Sequence, residues 1–297
     1  MRIVSLLPSA TEIIYALGLD DQLEGVTDEC DWPSQAREKR AVVRALQPAG
    51  LSAADVDAWV RQRAPSGGLY RLDEAAMAEI HPDLVLTQGL CRVCAVPTED
   101  VDVALDRAGC PSAVVTLEPQ RLDEVIDSVV TVAEAAGVGE RGRIVAGALR
   151  DRLETVRLAV AGRRPVPTLV LEWLDPPYTG GHWVPDVVSA SGGTPLLAEA
   201  GGRSHPTTWE DASQCGAEVV VLAPCGVTPE HALQQAMMSV PAELLSRRTV
   251  IMDLARPGPR LVDCVEALAA VMHPGAGLPQ RPDVGVRLIG QSGSVSP

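Results

Sequence analysis

The sequence predicts an α/β protein of two Rossmann-like lobes with mainly parallel sheets, joined by one long helix. Three observations carry this prediction. Short runs rich in Val, Leu and Ile alternate with helical patterns over residues 1–118, as parallel strands covered on both faces do. Over 119–164 the rhythm gives way to two successive helical patterns. From residue 168 the alternation resumes. The expected organisation is an N-terminal lobe over 1–118, a helical linker over 119–164, a C-terminal lobe over 165–275 and a flexible tail over 276–297.

In the first lobe a strand is expected over 2–7, then a helix to Leu17 with Ser9 as N-cap, Glu12 at the capping-box position and Gly18 as its stop. A second strand covers 23–27, and a helix over 51–63 follows with Ser52 as N-cap. Another helix, 73–80, is ended by His81-Pro82. Strands at 84–87 and 112–117 flank a helix near 101–108. The linker reads as a helix over 121–136, then one over 140–161 in which Leu149, Leu153, Val156 and Val160 recur at helical spacing. A helix of that length spans roughly 33 Å. The second lobe is expected to contain strands at 169–172, 219–223 and 250–253 and helices at 184–191 and 262–272. The tail after Gly275 is rich in Pro, Gly and Ser, and flexibility is expected there.

Composition narrows the function classes. The 297 residues are 46% hydrophobic and 22% charged, as in soluble globular proteins. There is no Phe, and there are three Tyr and five Trp, so cores must be built from aliphatic residues and each Trp is informative. A net charge of −14 disfavours nucleic acid and anionic membranes as partners. No apolar run reaches the roughly 18 residues of a membrane span. Met1 leads directly into a strand pattern, so no export leader is expected and the cytoplasm is the expected location. The seven cysteines are then expected to be reduced.

Chemistry-bearing residues collect behind the strand patterns. Cys91-Arg92-Val93-Cys94 follows the strand at 84–87, Cys30 follows 23–27, and Cys225 follows 219–223. Ends of parallel strands line one crevice, so these thiols can meet. Three readings stand for the paired cysteines. They are metal ligands, completed by Cys30, Cys225 and His182; or a redox pair, if the first caps a helix; or buried packing thiols. Cys110, Cys215 and Cys264 read as structural, as do His81 and His273, and His231 as solvated. A loop with two Pro and two Gly, 172–183, brings Glu172, Trp173, Tyr178, His182 and Trp183. A second, 201–210, brings His205 and Trp209, and a third, 256–260, brings Arg260. Trp32 sits in the loop after Cys30, where Glu29 and Asp31 make the edge acidic. These indoles either stack on a flat ligand or plug an interface. Glu172 is a candidate ligand, base or partner for Arg260.

These stretches resemble a known family. SLLPSATEIIYALGL at 5–19, ECDWP at 29–33, LTQGLCRVCAV at 86–96, LEWLDPPYTGGHWVPD at 171–186, LAPCG at 222–226 and ARPGPRLVDCVEALA at 255–269 are similar to the cobalamin-binding branch of the helical-backbone (class III, TroA-like) periplasmic binding proteins. The resemblance implies two lobes joined by a long helix, with the ligand in a cleft between them and modest hinge closure. Secreted relatives pass ligand to an ABC permease. Lacking an export signal, this chain looks closer to a leaderless cytosolic subgroup. It is therefore expected to be a cytoplasmic carrier of cobalamin, or of zinc, iron or copper or a metal chelate. The alternative is a metal-dependent or thiol-based enzyme, in a biosynthetic pathway, on the same scaffold. A receptor working with an ABC permease is a third reading.

Overall fold

The computed structural model describes residues 1–48, 50–63, 69–89, 98–279, 281, 284, 287–289 and 295–296. The chain forms two compact units, 1–119 with 126–147 and 120–125 with 148–297. The fold class is the expected one: α/β with mainly parallel sheets. The expected organisation has a separate helical linker over 119–164 between the two lobes. Helices α5 (Leu122–Ala135) and α6 (Gly139–Val160) are shared out between the units instead of forming a separate linker.

The first unit contains β1 (Ile3–Ser5), α1 (Pro8–Ala16), β2 (Leu23–Thr27), β3 (Arg40–Ala45), α2 (Ala53–Arg63), β4 (Tyr70–Leu72), α3 (Glu74–Ile80), β5 (Leu84–Gln88), α4 (Thr98–Ala108) and β6 (Ala113–Leu117). Its sheet order is β4-β3-β2-β1-β5-β6, parallel except for β4. Val4, Leu6, Val43 and Val85 pack with Ala76, Met77 and Ile80 of α3 and with Val101 and Leu105 of α4. α1 begins two residues earlier than the expected Ser9 cap would place it. Leu7 is its N-cap, and Pro8 occupies the first turn, where its fixed φ suits a helix and no N–H is lost. α3 begins as expected, with Asp73 accepting from the Ala76 N–H at 2.9 Å.

The second unit contains β7 (Val166–Leu174), β8 (Pro177–Thr179), α7 (Val184–Ala190), β9 (Gly193–Leu196), α8 (Trp209–Gln214), β10 (Val219–Leu222), α9 (Pro229–Ser239), α10 (Ala242–Leu245), β11 (Arg248–Ile251), α11 (Leu261–Met272), β12 (Arg287–Ile289) and β13 (Val295–Ser296). The sheet runs β13-β12-β11-β10-β7-β8, and β9 pairs with the first half of β7. Strands β9, β7, β10 and β11 are parallel. Alternation along β7 sends Leu169 and Leu171 into one core with Ala212 of α8, Ala232 and Ala236 of α9 and Leu244 of α10. It leaves Val170 and Glu172 on the opposite face, where Val170 and Val184 of α7 both lie against Gly180.

Charged and polar groups tie this unit together. Arg152 of α6 donates to both carboxylate oxygens of Glu266, each at 2.8 Å, and also bonds Asp263. Arg281 adds a 2.6 Å bond to Glu266. The tail expected to be flexible is thus held at Arg281, because a buried carboxylate awaits its guanidinium. Asp186 of α7 takes a bidentate pair of bonds from Arg121 at 2.6 and 2.8 Å and accepts the Leu122 N–H at the start of α5. His273 is buried with Nε2 3.0 Å from the Gly192 carbonyl. Buried Cys264 donates to the Asp253 carbonyl and half-buried Cys215 to that of Ala212, and in the first unit buried Cys110 donates to the Met77 carbonyl.

Candidate ligand-binding site

Both sheets change direction at their first strand. In the first unit the chain moves outward from β1 through β2 to β3, then returns to place β5 on the other side of β1. In the second it moves from β7 to β9, then returns to place β10 on the other side of β7. Such a reversal opens a crevice at the carboxyl ends of the two central strands, because their connections leave in opposite directions. The candidate residues follow those strand ends.

In the first unit, the end of β1 is a buried hydroxyl-thiol chain. Ser5 donates to the Leu7 carbonyl at 2.9 Å, and Thr11 donates to Ser5 at 2.9 Å. The Thr11 hydroxyl also lies 3.1 Å from the Cys30 thiol. All three side chains are buried. Close by, burial, then Asp20, Glu38 and Cys30, push the Tyr15 hydroxyl above its ordinary range. Trp32 follows Cys30 and is exposed. Asp31 pairs with Arg37 at 3.5 Å. The strand β5 ends on buried Thr87 and Gln88. Cys91 and Cys94, which follow it in sequence, lie outside the described residues.

In the second unit, Glu172 stands at the end of β7, half-buried beside the reversal. Its Oε2 accepts the Gly181 N–H at 3.0 Å, and the Ser204 hydroxyl also donates to the carboxylate. The Glu172 carbonyl accepts the Cys225 N–H at 3.2 Å, which places Cys225, just beyond β10, on the other side of the crevice. Burial raises the Glu172 carboxyl above the ordinary carboxylate range, and the bonds from Ser204 and Gly181 offset this only in part. His182 is held below its ordinary value, first by burial and then by Arg203, which favours the neutral imidazole.

The loop geometry explains the glycines. A Cβ at Gly181 would stand 2.2 Å from the Ser204 nitrogen, so the 180–183 and 201–205 backbones meet only because residue 181 has no side chain. His182 has φ 52°, donates its N–H to Gly202 and accepts that of Gly201 at 3.0 Å. Trp183 is buried, and its Nε1 donates to the Leu254 carbonyl at 2.9 Å. The His182 ring stacks on it at 5.8 Å. His205 is exposed, with Nδ1 3.2 Å from the Thr179 hydroxyl. Trp173 donates to the Asp175 carbonyl at 3.1 Å, and Tyr178 pairs opposite it across the β7–β8 turn. Trp209 is half-buried and packs on the core beneath the sheet. Arg260 lies 3.4 Å from Asp253, which Arg256 also approaches at 3.7 Å.

Several expectations change. Trp183 and Trp209 serve as packing groups, the first pinned by a bond between residues 71 positions apart. Arg260 faces Asp253, while the hydrogen bonds to the Glu172 carboxylate come from Gly181 and Ser204. Among the described residues no three His, Cys, Asp or Glu side chains are arranged to hold a metal ion. The thiol of Cys30 is engaged by Thr11 in the first unit, and Cys225 and His182 belong to the second. Ser204, Ser5 and Thr11 escaped notice because a serine or threonine in a loop or first turn reads as local capping.

Glu172 also gives a pH-dependent prediction. A raised carboxyl stabilises the fold fully below its unfolded value, about 4.3, and that contribution is lost as pH rises through the folded value. Glu172→Gln removes the titration. The variant is expected to melt above wild type at pH 8 and level with it at pH 4, as thermal melts at the two pH values would show. A Tm difference independent of pH would exclude the buried charge as its cause.

Comparison with known proteins places this arrangement. The vitamin B12-binding protein of Vibrio cholerae serotype O1 is 26% identical over 282 residues, covering 91% of this chain and 88% of its own. The crystal structure of the periplasmic vitamin B12 binding protein of Vibrio cholerae is similar with a TM-score of 0.64 and 22% identity, over 91% of this chain and 96% of that one. A periplasmic heme binding protein from Pseudomonas aeruginosa shares the fold with a TM-score of 0.70 and 20% identity, over 95% of both chains. The family model described as periplasmic binding protein matches residues 3–243. The chain, with its two α/β units and long α6, belongs to the periplasmic binding protein family.

Proposed function

We propose that this chain binds a corrinoid of the cobalamin type through the crevice loops of its sheets, and does so in the cytoplasm. The observation that carries the ligand is the 26% identity to a vitamin B12-binding protein over 91% of the chain. The heme binding protein is similar in fold at 20% identity, which speaks to architecture alone. The second unit's crevice supplies what a large, flat ligand needs: loops held rigid by Trp183 and Glu172, and the indole of Trp173 for stacking, while the first unit presents the exposed indole of Trp32 beside its own. The five described cysteines, Cys30, Cys110, Cys215, Cys225 and Cys264, form no disulfide with one another, as is usual for thiols in a reducing compartment. This supports the cytoplasmic placement.

Titration with cyanocobalamin, followed by calorimetry, is expected to give a Kd of about 1 μM or tighter, near −8 kcal/mol. Prior treatment with a chelator is expected to leave that affinity unchanged, since the ligand itself carries the cobalt. Absence of binding would overturn the corrinoid reading. Loss after chelation would restore a protein-held metal to the site. Fractionation of cells expressing the native gene tests the location, with recovery in the periplasm as the contrary result.

A further inference from the structure

We propose that Glu172 makes the second unit selective for a tetrapyrrole rim that carries carboxamides over one that carries carboxylates. This rests on the corrinoid reading of the crevice and adds the feature that is read. Glu172 stands where β7 and β10 diverge, half-buried, and among the described residues its carboxylate takes two hydrogen bonds, from the Gly181 N–H at 3.0 Å and the Ser204 hydroxyl. The group is thereby held as an acceptor. A carboxylate offers about four acceptor positions, and two donors leave capacity for a third.

A ligand N–H fits that capacity. The rim of a corrinoid carries acetamide and propionamide groups, each with two N–H donors, whereas a porphyrin such as heme carries propionates. A propionate brought to Glu172 would meet a second carboxyl group, and where both are ionised the like charges repel strongly in a partly dry site. The cations of this edge do little to reverse that preference. Arg256 and Arg260 both approach Asp253, and Arg203 is exposed, where water and salt screen its charge.

The test compares cyanocobalamin with its monocarboxylic acids, in which one rim propionamide is hydrolysed, on wild type and on Glu172→Gln at pH 8. Glutamine retains an oxygen for the Gly181 and Ser204 donors but carries no charge. Wild type is expected to prefer at least one amide position over its acid by about tenfold, and Glu172→Gln to reduce that ratio to about twofold or less. Circular dichroism melts confirm that the variant is folded. Should it not fold, Glu172→Asp is compared instead, and the preference is expected to keep its sign with a smaller ratio. An undiminished ratio in a folded Glu172→Gln, or no preference in wild type, overturns the selectivity while leaving the corrinoid reading intact. Failure of wild type to bind cyanocobalamin overturns both.

Discussion

Arg152→Ala is expected to destabilise the protein by about 2–3 kcal/mol, lowering Tm by roughly 5–10 °C. The guanidinium bridges both oxygens of Glu266 and reaches Asp263. The Glu266 side chain is only 7% exposed and that of Arg152 31% exposed. Losing one partner of a fully buried pair costs about 3–5 kcal/mol, because the remaining charge has already given up its water. Partial access to solvent reduces this figure. After the substitution, two carboxylates one turn apart on α11 share Arg281 alone. Burial opposes ionisation of Glu266, but the bonds from Arg152 and Arg281 outweigh it and hold the carboxyl below its ordinary range. A depressed pKa contributes stability above the unfolded value, lost as pH falls through the folded one. The deficit of Arg152→Ala should therefore be full at pH 7 and shrink below about pH 4. Thermal melts at pH 7 and 3.5 measure this, and an equal deficit at both would assign the loss to packing.

Gly181→Val is the second large effect, about 3 kcal/mol with loss of ligand binding. The nearest atom to a new Cβ is the Ser204 nitrogen at 2.2 Å, followed by the Arg203 carbonyl carbon at 2.8 Å. Both are backbone, so no side chain can rotate away, and the 201–205 segment must move. Movement breaks the Gly181–Glu172 bond and the Gly201–His182 bond together. A fall in Tm of roughly 6–12 °C with at least tenfold weaker cyanocobalamin binding is expected. Unchanged affinity would mean that this loop pair does not shape the ligand surface. Gly180→Ala provides a contrast. Its nearest contact is the Val184 side chain, at 2.5 Å, and a side chain can yield more easily.

Much of the scaffold was legible because buried parallel strands are written as apolar runs. β2, β5, β7 and β10 all stand within a few residues of where Val, Leu and Ile cluster. The strands that escaped have physical reasons to be quiet. β3 is bounded by Arg40 and followed by an edge strand of only three residues, Tyr70–Leu72. β9 contains Pro195 and pairs on one side only, a position where the missing N–H costs little. α8 has six residues and depends on Thr208, which accepts the Asp211 N–H at 3.0 Å. At the site, Pro, Gly and Trp marked the right loops, but not what each side chain does there. That Trp183 reaches Leu254, or that Ser204 rather than Arg260 meets Glu172, depends on pairing distant segments, which periodicity does not encode. The metal reading of the cysteines rested on the spacing of Cys91 and Cys94 and on strand-end placement. Its central pair, Cys91 and Cys94, lies outside the described residues.

The placement of the five indoles has an optical consequence. With no Phe and only three Tyr in the chain, near-ultraviolet emission is almost entirely that of tryptophan. Trp183, buried and bonded to a carbonyl, emits at shorter wavelength than Trp32, which is 37% exposed. Corrinoids absorb where indole emits, so a ligand seated against the 172–183 loop drains the blue edge of the spectrum by energy transfer. Quenching of that blue edge is thus an optical readout of the second unit's crevice that needs no label.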